Sequence, residues 1–362
     1  MKLDTTHMRY LSSEDFRVLT AFEMGSKNHE VVPTTLATQI SGLKSASAVQ
    51  RSIADLAKAR LLVRQRNTKY DGYRLSYLGY DYLALKALVK RDSVLAVGNQ
   101  IGIGKESDIF LAATPSGKDH VVLKIHRLGR ISFRSVKNNR DYMKGRQSAS
   151  WMYLSRLAAQ KEYAFMKALH EHGFPVPTPI DQSRHQVVMS LVDGFPMRQL
   201  KEHSHPGRLY ATLMDFIVRL ANHGLIHCDF NEFNIMIKET AERPEDEIVV
   251  IDFPQCVSID HPDAERFFRR DVDCIRTFFE RKLHYVSDDY PDFKRDVKRE
   301  ASIDLLVDAS GLNKKQAKEF EKAMAQSREN VGDEEELQFS GNEEEEDDDE
   351  EEEASDDDDE KA

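Results

Sequence analysis

The chain has 362 residues, 40% of them hydrophobic, and no apolar run near the roughly 18 residues that cross a bilayer as a helix, so no membrane partner and a globular protein of two domains and a tail are expected. The formal net charge of -12 is unevenly spread: residues 333–362 hold 20 of the 63 acidic and one of the 51 basic side chains, which leaves 43 acidic against 50 basic in 1–332, a net of +7. Cys228, Cys256 and Cys274 form no C-x-x-C pair, and Met1-Lys2-Leu3-Asp4-Thr5-Thr6-His7 lacks the apolar core of a signal peptide. These features argue against disulfides, a disulfide-linked partner or a zinc site, and for a reducing compartment.

The first stretch, 1–76, reads as helices followed by a hairpin. Ser12-Ser13-Glu14-Asp15 offers a helix start, Phe16, Leu19 and Phe22 follow at helical spacing, and Gly25 ends it. Pro33 opens a second helix with Leu36, Ala37 and Ile40. A third follows Ser45, with Val49, Ile53, Leu56 and Ala57 on one face. Leu61–Arg66 and Tyr73–Tyr77 then read as strands around a turn. Three helices and a hairpin predict a winged helix. Lys44, Gln50, Arg51 and Lys58 sit on or near its third helix, and Arg64, Arg66 and Lys69 on its wing. Two readings stand: contact with nucleic acid, or a protein-docking module with a solvated charged face. Residues 77–92, with Leu78, Tyr82, Leu85 and Val89 on one face, read as a linking helix.

At Val94 the pattern turns to strand, then a glycine turn, then strand again: Gly102-Ile103-Gly104-Lys105-Glu106-Ser107-Asp108-Ile109-Phe110. Glycines there let backbone amides approach phosphate oxygens, although a lone G-x-G is weak and no Walker sequence follows. Val121-Val122-Leu123-Lys124-Ile125-His126 is an apolar strand carrying one ammonium, which needs an anionic partner unless it snorkels from an edge strand. Residues 127–150 are basic, hold Arg127, Arg130, Arg134, Lys137, Arg140, Lys144 and Arg146, and read as a mobile loop. Trp151–Glu171 is helical. Val187–Val192 is a strand ending in Asp193-Gly194, and Leu209, Leu213, Phe216, Ile217 and Leu220 mark an amphipathic helix. The stretch around which the rest is arranged follows: His227-Cys228-Asp229-Phe230-Asn231-Glu232-Phe233-Asn234, then Val249-Val250-Ile251-Asp252-Phe253. An aspartate, an asparagine five residues on and a second aspartate after an apolar run form the pattern of a phosphoryl-transfer site.

Lysine, glutamate, aspartate, asparagine and aspartate occur in protein-kinase order, and "HCDFNEFN", "IDFPQ" and "GIGKESDIF" resemble the RIO family of atypical kinases. The resemblance covers roughly residues 1–300. It implies an α+β fold in which a winged helix precedes a truncated bilobal kinase domain, 93–285, with lobes 93–192 and 193–285. It also implies the roles. Ile101, Gly102, Lys105, Glu106 and Ser107 would cradle the ATP phosphates. Lys124 would bind them, paired with Glu162 (Glu171 being the runner-up), and backbone from Met189 to Leu191 would meet adenine. Asp229 would accept or orient the proton of the incoming hydroxyl or water, and Asn234 and Asp252 would hold Mg2+. The resemblance further implies a role in late maturation of the small ribosomal subunit, with pre-ribosomal RNA and ribosomal proteins as expected partners, in the cytoplasm with passage through the nucleus.

Three departures from the usual kinase pattern bear on mechanism. Cys228 stands where an arginine clamps a phosphorylated loop. Pro254 follows Phe253 and hinders a flip of that segment. No Ala-Pro-Glu follows, so no peptide platform is evident, and an ATPase switch with phosphate on Asp252 stands beside a kinase and beside a scaffold that only senses ATP. Residues 286–332 read as a helical extension, with Leu305, Leu306, Val307, Leu312, Ala317, Phe320 and Met324 in an amphipathic segment, and 333–362 as a disordered acidic tail.

Overall fold

The computed structural model describes residues 3–65, 72–117, 119–128, 147–238 and 247–305, with the side chains of 147–150 outside that description. Its first helix, α1 (Ser13–Gly25), starts where the sequence supplies a reciprocal cap. The Ser12 hydroxyl accepts from the Asp15 N–H at 3.1 Å, and the Asp15 carboxylate accepts from the Ser12 N–H at 2.8 Å. β1 (Val32–Pro33) leads into α2 (Thr34–Ser41), and the Ser45 hydroxyl caps α3 (Ala46–Lys58). β2 (Leu62–Gln65) and β3 (Gly72–Leu75) pair antiparallel, with β1 on the far side of β3. Phe16, Leu19, Phe22, Val49, Ile53 and Leu56 fill the core between helices and sheet. This is the expected winged helix. Lys44, Gln50, Arg51, Lys58 and Arg64 are exposed, while Arg66 and Lys69 lie outside the described residues.

α4 (Tyr77–Lys90) is more than a tether. Tyr80, Tyr82 and Leu83 belong to the winged-helix core, and Leu85 and Leu88 to the core beneath the next sheet. One helix therefore packs against both bodies, and any shift of it is felt by both.

The upper lobe is a five-stranded antiparallel sheet of β4 (Ala96–Ile103), β5 (Ser107–Ala113), β6 (His120–His126), β7 (Pro179–Ser183) and β8 (Gln186–Ser190), in the order β4-β5-β6-β8-β7. α5 (Gln147–Glu171) runs between β6 and β7 and starts four residues before the expected Trp151. β6 is buried on both faces. Val121, Leu123 and Ile125 point into the core shared with α4, whereas Val122 packs in the larger core on the opposite face. Lys124 and His126 share the Val122 face by the same alternation. Arg127 corrects the loop expected at 127–150: it is buried, because two carboxylates close on its guanidinium. Residues 129–146, which hold the rest of that basic stretch, lie outside the described residues.

The lower lobe joins a small sheet to two long helices. β9 (Phe195–Pro196) precedes α6 (Pro206–Asn222), and β10 (Leu225–Ile226) follows it. β11 (Ile235–Ile237) lies between β9 and β12 (Ile248–Val250), and β13 (Val257–Ser258) pairs with β10. α7 (Ala264–Leu283) buries Phe268, Val272, Ile275 and Phe279 against Leu209, Leu213, Phe216, Ile217 and Leu220 of α6. Beyond α7 the expected helical extension does not run continuously from 286. Apart from the short α8 (Phe293–Asp296), residues 286–302 are irregular, and 303–305 are helical where the described residues end. Pro291 breaks helical continuity, and the backbone bonds outward instead: the Glu300 N–H donates to the Asn222 carbonyl at 2.7 Å, and Ile303 is fully buried beside α6. The amphipathic stretch from Leu306 and the acidic tail lie outside the described residues. No described helix is long and apolar enough to cross a membrane, and the three cysteines are free.

Candidate active site

β6 sets the upper wall. Lys124 and His126, two residues apart on one face, both reach Glu162 in the middle of α5. Lys124 Nζ donates to Glu162 Oε1 at 2.6 Å, and His126 Nε2 lies 2.6 Å from Glu162 Oε2. Glu171, the runner-up partner, is exposed at the helix end. The same Nζ donates to Asp252 Oδ1 at 2.8 Å, so one ammonium joins the two lobes. Burial alone would lower the Lys124 pKa, but the Asp252 and Glu162 carboxylates outweigh it and hold the pKa above its ordinary value. Burial likewise opposes ionisation of Glu162 and Asp252. Lys124, with His126 behind it, more than offsets that, and both carboxyl pKa values are lowered. Lys124 and Glu162 are almost fully buried, while the Asp252 side chain is 34% exposed and opens the cluster on one side.

Sheet register places the other upper-lobe candidates. Gly102, Ile109, Lys124 and Val187 form one row across β4, β5, β6 and β8. Ser107 lies opposite His126, and Met189 opposite Val122, at the two ends of the stripe that carries Lys124. β4 is bulged on either side of Gln100, which turns its end toward a tight loop closed by Gly104 N–H to Ser107 carbonyl at 2.8 Å. A Cβ at Gly104 would come within 3.1 Å of Ser107 Oγ, so glycine suits that turn. Ile101 and Lys105 are exposed and Glu106 half-buried on this loop. Met189 is buried at the end of β8, and Leu191, 45% exposed, follows where the chain leaves for the lower lobe.

The lower wall is the turn from His227 to Asn234. Asn234 Nδ2 donates to the Asp229 carbonyl at 2.9 Å and to Asp229 Oδ2 at 3.0 Å, and Asn231 Nδ2 donates to Oδ1 at 3.1 Å. Both oxygens of Asp229 are thereby oriented. The Ile251 N–H donates to the Asn234 carbonyl at 2.9 Å, which sets Asp252 next to Asn234 where β11 begins and β12 ends. Cys228 and Asp252 carry positive φ of 66° and 72°, a conformation that costs about 1–3 kcal/mol and persists only where neighbours fix it. Asp271 of α7 is one such neighbour. Its carboxylate accepts from the Cys228 N–H at 2.8 Å and the Phe230 N–H at 3.2 Å, and Arg270 donates to the Cys228 carbonyl. Burial pushes the Asp271 carboxyl up, only partly opposed by His227 and these N–H groups. His227 packs edge-on to Phe230 and Phe253 and lies 3.3 Å from the Ile251 carbonyl.

The structure thus brings Lys124, Glu162 and Asp252 into one bonded cluster, and Asp229 and Asn234 into a second that adjoins it. The donor chemistry fits magnesium. Asn234 turns its Nδ2 toward Asp229, so its amide oxygen is the end that could meet a cation, and Asp252 supplies a carboxylate beside it. The described residues contain no group of three or more His, Cys, Asp or Glu side chains able to cage a metal. Magnesium there would be held by these one or two protein oxygens together with substrate phosphates. Three positioning residues escape a reading of the sequence: His126, Asp271 and Arg270. Only His126 has a signal, its place two residues beyond Lys124 on the same strand face.

A family model described as RIO domain matches residues 108–292, and one described as Rio2, N-terminal, matches 8–91. The serine/threonine-protein kinase RIO2 of Saccharomyces cerevisiae is 58% identical over 334 residues, spanning 87% of this chain and 78% of its own. The chain belongs to the RIO kinase family. The Schizosaccharomyces pombe serine/threonine-protein kinase rio2 is 56% identical over 324 residues, 89% of this chain and 92% of that protein. The crystal structure of the Rio2 kinase–ADP/Mg2+–phosphoaspartate complex from Chaetomium thermophilum superposes with a TM-score of 0.83 at 56% identity, covering 91% of this chain and all of that one. RIO kinases are phosphoryl-transfer enzymes, and the winged helix followed by a bilobal domain is this chain's own version of that architecture.

Proposed function

We propose that the chain binds ATP with Mg2+ and transfers the γ-phosphoryl group, with Asp252 as first acceptor, in a cycle that serves late maturation of the small ribosomal subunit. The observation that carries this reading is the Lys124 bridge from Glu162 to Asp252 beside the Asn234–Asp229 pair. Lys124 holds phosphate oxygens and is held in turn by Glu162, which His126 braces. Asn234 and Asp252 would hold the magnesium ion, which when bound neutralises charge on the phosphates. An oxygen of Asp252 attacks the γ-phosphorus, the bond to the bridging oxygen breaks, and ADP departs with the electron pair. Water then attacks the acyl phosphate, Asp229 takes its proton, and inorganic phosphate leaves with the carboxylate restored. The phosphoaspartate named for the Chaetomium relative supports an aspartyl acceptor.

Only residues 253–263 separate Asp252 from α7, too short for a peptide platform, and this favours an ATPase-type switch over peptide phosphorylation. The ribosomal setting draws on the family resemblance, the winged helix and the +7 balance of residues 1–332. The partners would be pre-ribosomal RNA and ribosomal proteins, met in the cytoplasm with passage through the nucleus. The test is ATP turnover by the full chain with Mg2+, with and without pre-small-subunit particles. Turnover stimulated by particles and lost in Asp229→Ala is expected. Binding of ATP without turnover under either condition would leave a scaffold that senses nucleotide.

A further inference from the structure

A second buried ion cluster lies three residues beyond Lys124 and takes no part in the chemistry above. The Arg127 guanidinium grips Asp81 of α4 with both terminal nitrogens, at 2.6 and 2.8 Å, and its Nε donates to Asp108 Oδ2 of β5 at 3.2 Å. His185 Nε2 sits 2.6 Å from Asp81 Oδ1, and the Tyr80 ring stacks on His185 at 4.6 Å. Asp81, Asp108, Arg127 and His185 are each no more than 5% exposed. Buried charges of this kind are weak evidence for added stability, since apolar residues of similar volume could fill the space. What they fix is geometry.

The geometry fixed is that of the phosphate loop. The Arg127 N–H donates to the Glu106 carbonyl at 2.6 Å, on the descending arm of the loop. Its side chain holds Asp108 at the foot of that arm, and Asp108 Oδ1 accepts from Gln100 Nε2 on the ascending arm at 3.1 Å. Both arms of the loop thus hang from one arginine. That arginine is anchored bidentately to α4, whose Tyr80, Tyr82 and Leu83 belong to the winged-helix core. We propose that Asp81 and Arg127 are positioning residues that couple the winged helix to the nucleotide loop, so that what docks on the winged helix alters nucleotide affinity, and nucleotide alters docking by the same factor. The reciprocity is required of any such linkage. The consequence for ATP rests on the proposed function, whereas the coupling of loop to helix does not.

A second tie between the same two bodies supplies the control. Arg184, in the turn between β7 and β8, which β6 separates from β5, donates to both carboxylate oxygens of Glu23 on α1 at 2.7 Å and to the Leu83 carbonyl at 3.0 Å. The experiment is hydrogen exchange of amides 101–107 in the full chain without nucleotide, followed by titration with Mg·ATP, for wild type, Asp81→Asn, Asp108→Asn and Glu23→Gln. Exchange at 101–107 should rise about 5-fold or more in Asp81→Asn, Mg·ATP affinity should fall by a similar factor, and the Asp81→Asn/Asp108→Asn double variant should add little. Glu23→Gln should leave both readouts at wild type. Wild-type loop exchange in Asp81→Asn, or an equal rise in Glu23→Gln, would overturn the coupling. Should Asp81→Asn fail to fold, Arg127→Lys keeps the charge and loses the bidentate grip. It should raise exchange at the same amides, and wild-type exchange there would overturn the coupling equally. Absence of Mg·ATP binding in the wild type would count against the proposed function and leave the exchange result standing.

Discussion

Two buried ion clusters are centred three residues apart, on Lys124 within β6 and Arg127 just past its end, and they are built to opposite ends. The Lys124 cluster has two carboxylates, a lysine and a histidine, and it is open: Asp252 is 34% exposed and sits on left-handed backbone. The Arg127 cluster has two carboxylates, an arginine and a histidine, and it is closed on every side. An ammonium is a point charge that can pass from a carboxylate to a phosphate, whereas a guanidinium held as a fork stays with its partner. The difference separates a site that must exchange partners from a joint that must not.

The sharpest way to break the comparison is to delete the exchangeable group. Asp252→Ala should lower ATP turnover by about 10³-fold or more while the chain stays folded, as measured by phosphate release and thermal unfolding. Removing the cations should then separate the clusters by stability. Arg127→Met leaves two sealed carboxylates behind and should lower stability by about 3–5 kcal/mol in denaturant titration. Lys124→Met should lower it by distinctly less, because Glu162 keeps His126 and Asp252 gains water. Asp271→Ala, which strips the acceptor from the Cys228 and Phe230 N–H groups, should cost about 2–4 kcal/mol. Asp271→Asn should cost less, since burial already raises that carboxyl's pKa and the amide oxygen can still accept one of the two N–H bonds.

Acid should act on both clusters with one sign. Asp81, Glu162 and Asp252 have lowered pKa values in the fold, so the unfolded chain binds more protons as the pH drops. The stability they contribute is present above their unfolded values, near 4, and is lost as pH falls through the folded ones. Burial also lowers the pKa of His185, which adds a loss that begins near its unfolded value of about 6.5. Glu162→Gln should flatten the acid limb of a stability–pH curve below about pH 5 relative to wild type. The smallest effect expected is at the winged-helix end: Ser12→Ala breaks the reciprocal cap on α1 and should cost about 1 kcal/mol.

Much of the fold is legible in the sequence because it is local. Ser12 with Asp15, the apolar periods of α1, α3 and α6, and the glycine turn at 102–104 all declare themselves within a few residues. Lys124, Asp229, Asn234 and Asp252 stand out because they occur in protein-kinase order; an ammonium on an apolar strand calls for an anion, and the kinase resemblance is what selects Glu162 over Glu171. What stays hidden is pairing across distance. Nothing near Asp271 marks it as the holder of Cys228 and Phe230, some forty residues earlier, and nothing near Arg127 points to Asp81. Arg127 reads as part of a mobile loop because the residues after it are basic and polar, and composition carries no sign of which arginine in a run is the buried one. The helical reading of 286–332 gives way over 286–302, where only α8 is helical, because Pro291 and the bonds to Asn222 draw the backbone along α6 instead; residues 303–305 are helical and the rest lie outside the described residues.

If the open carboxylate of Asp252 accepts the phosphoryl group, the acyl phosphate it forms can be caught. The most direct measurement is to incubate the full chain with γ-labelled ATP and Mg2+, quench in acid, and treat the labelled protein with hydroxylamine. Hydroxylamine should release the label, which should approach one per chain in Asp229→Ala and be absent from Asp252→Asn. Label that withstands hydroxylamine and persists in Asp252→Asn would place the phosphate on a hydroxyl elsewhere and contradict an aspartyl acceptor.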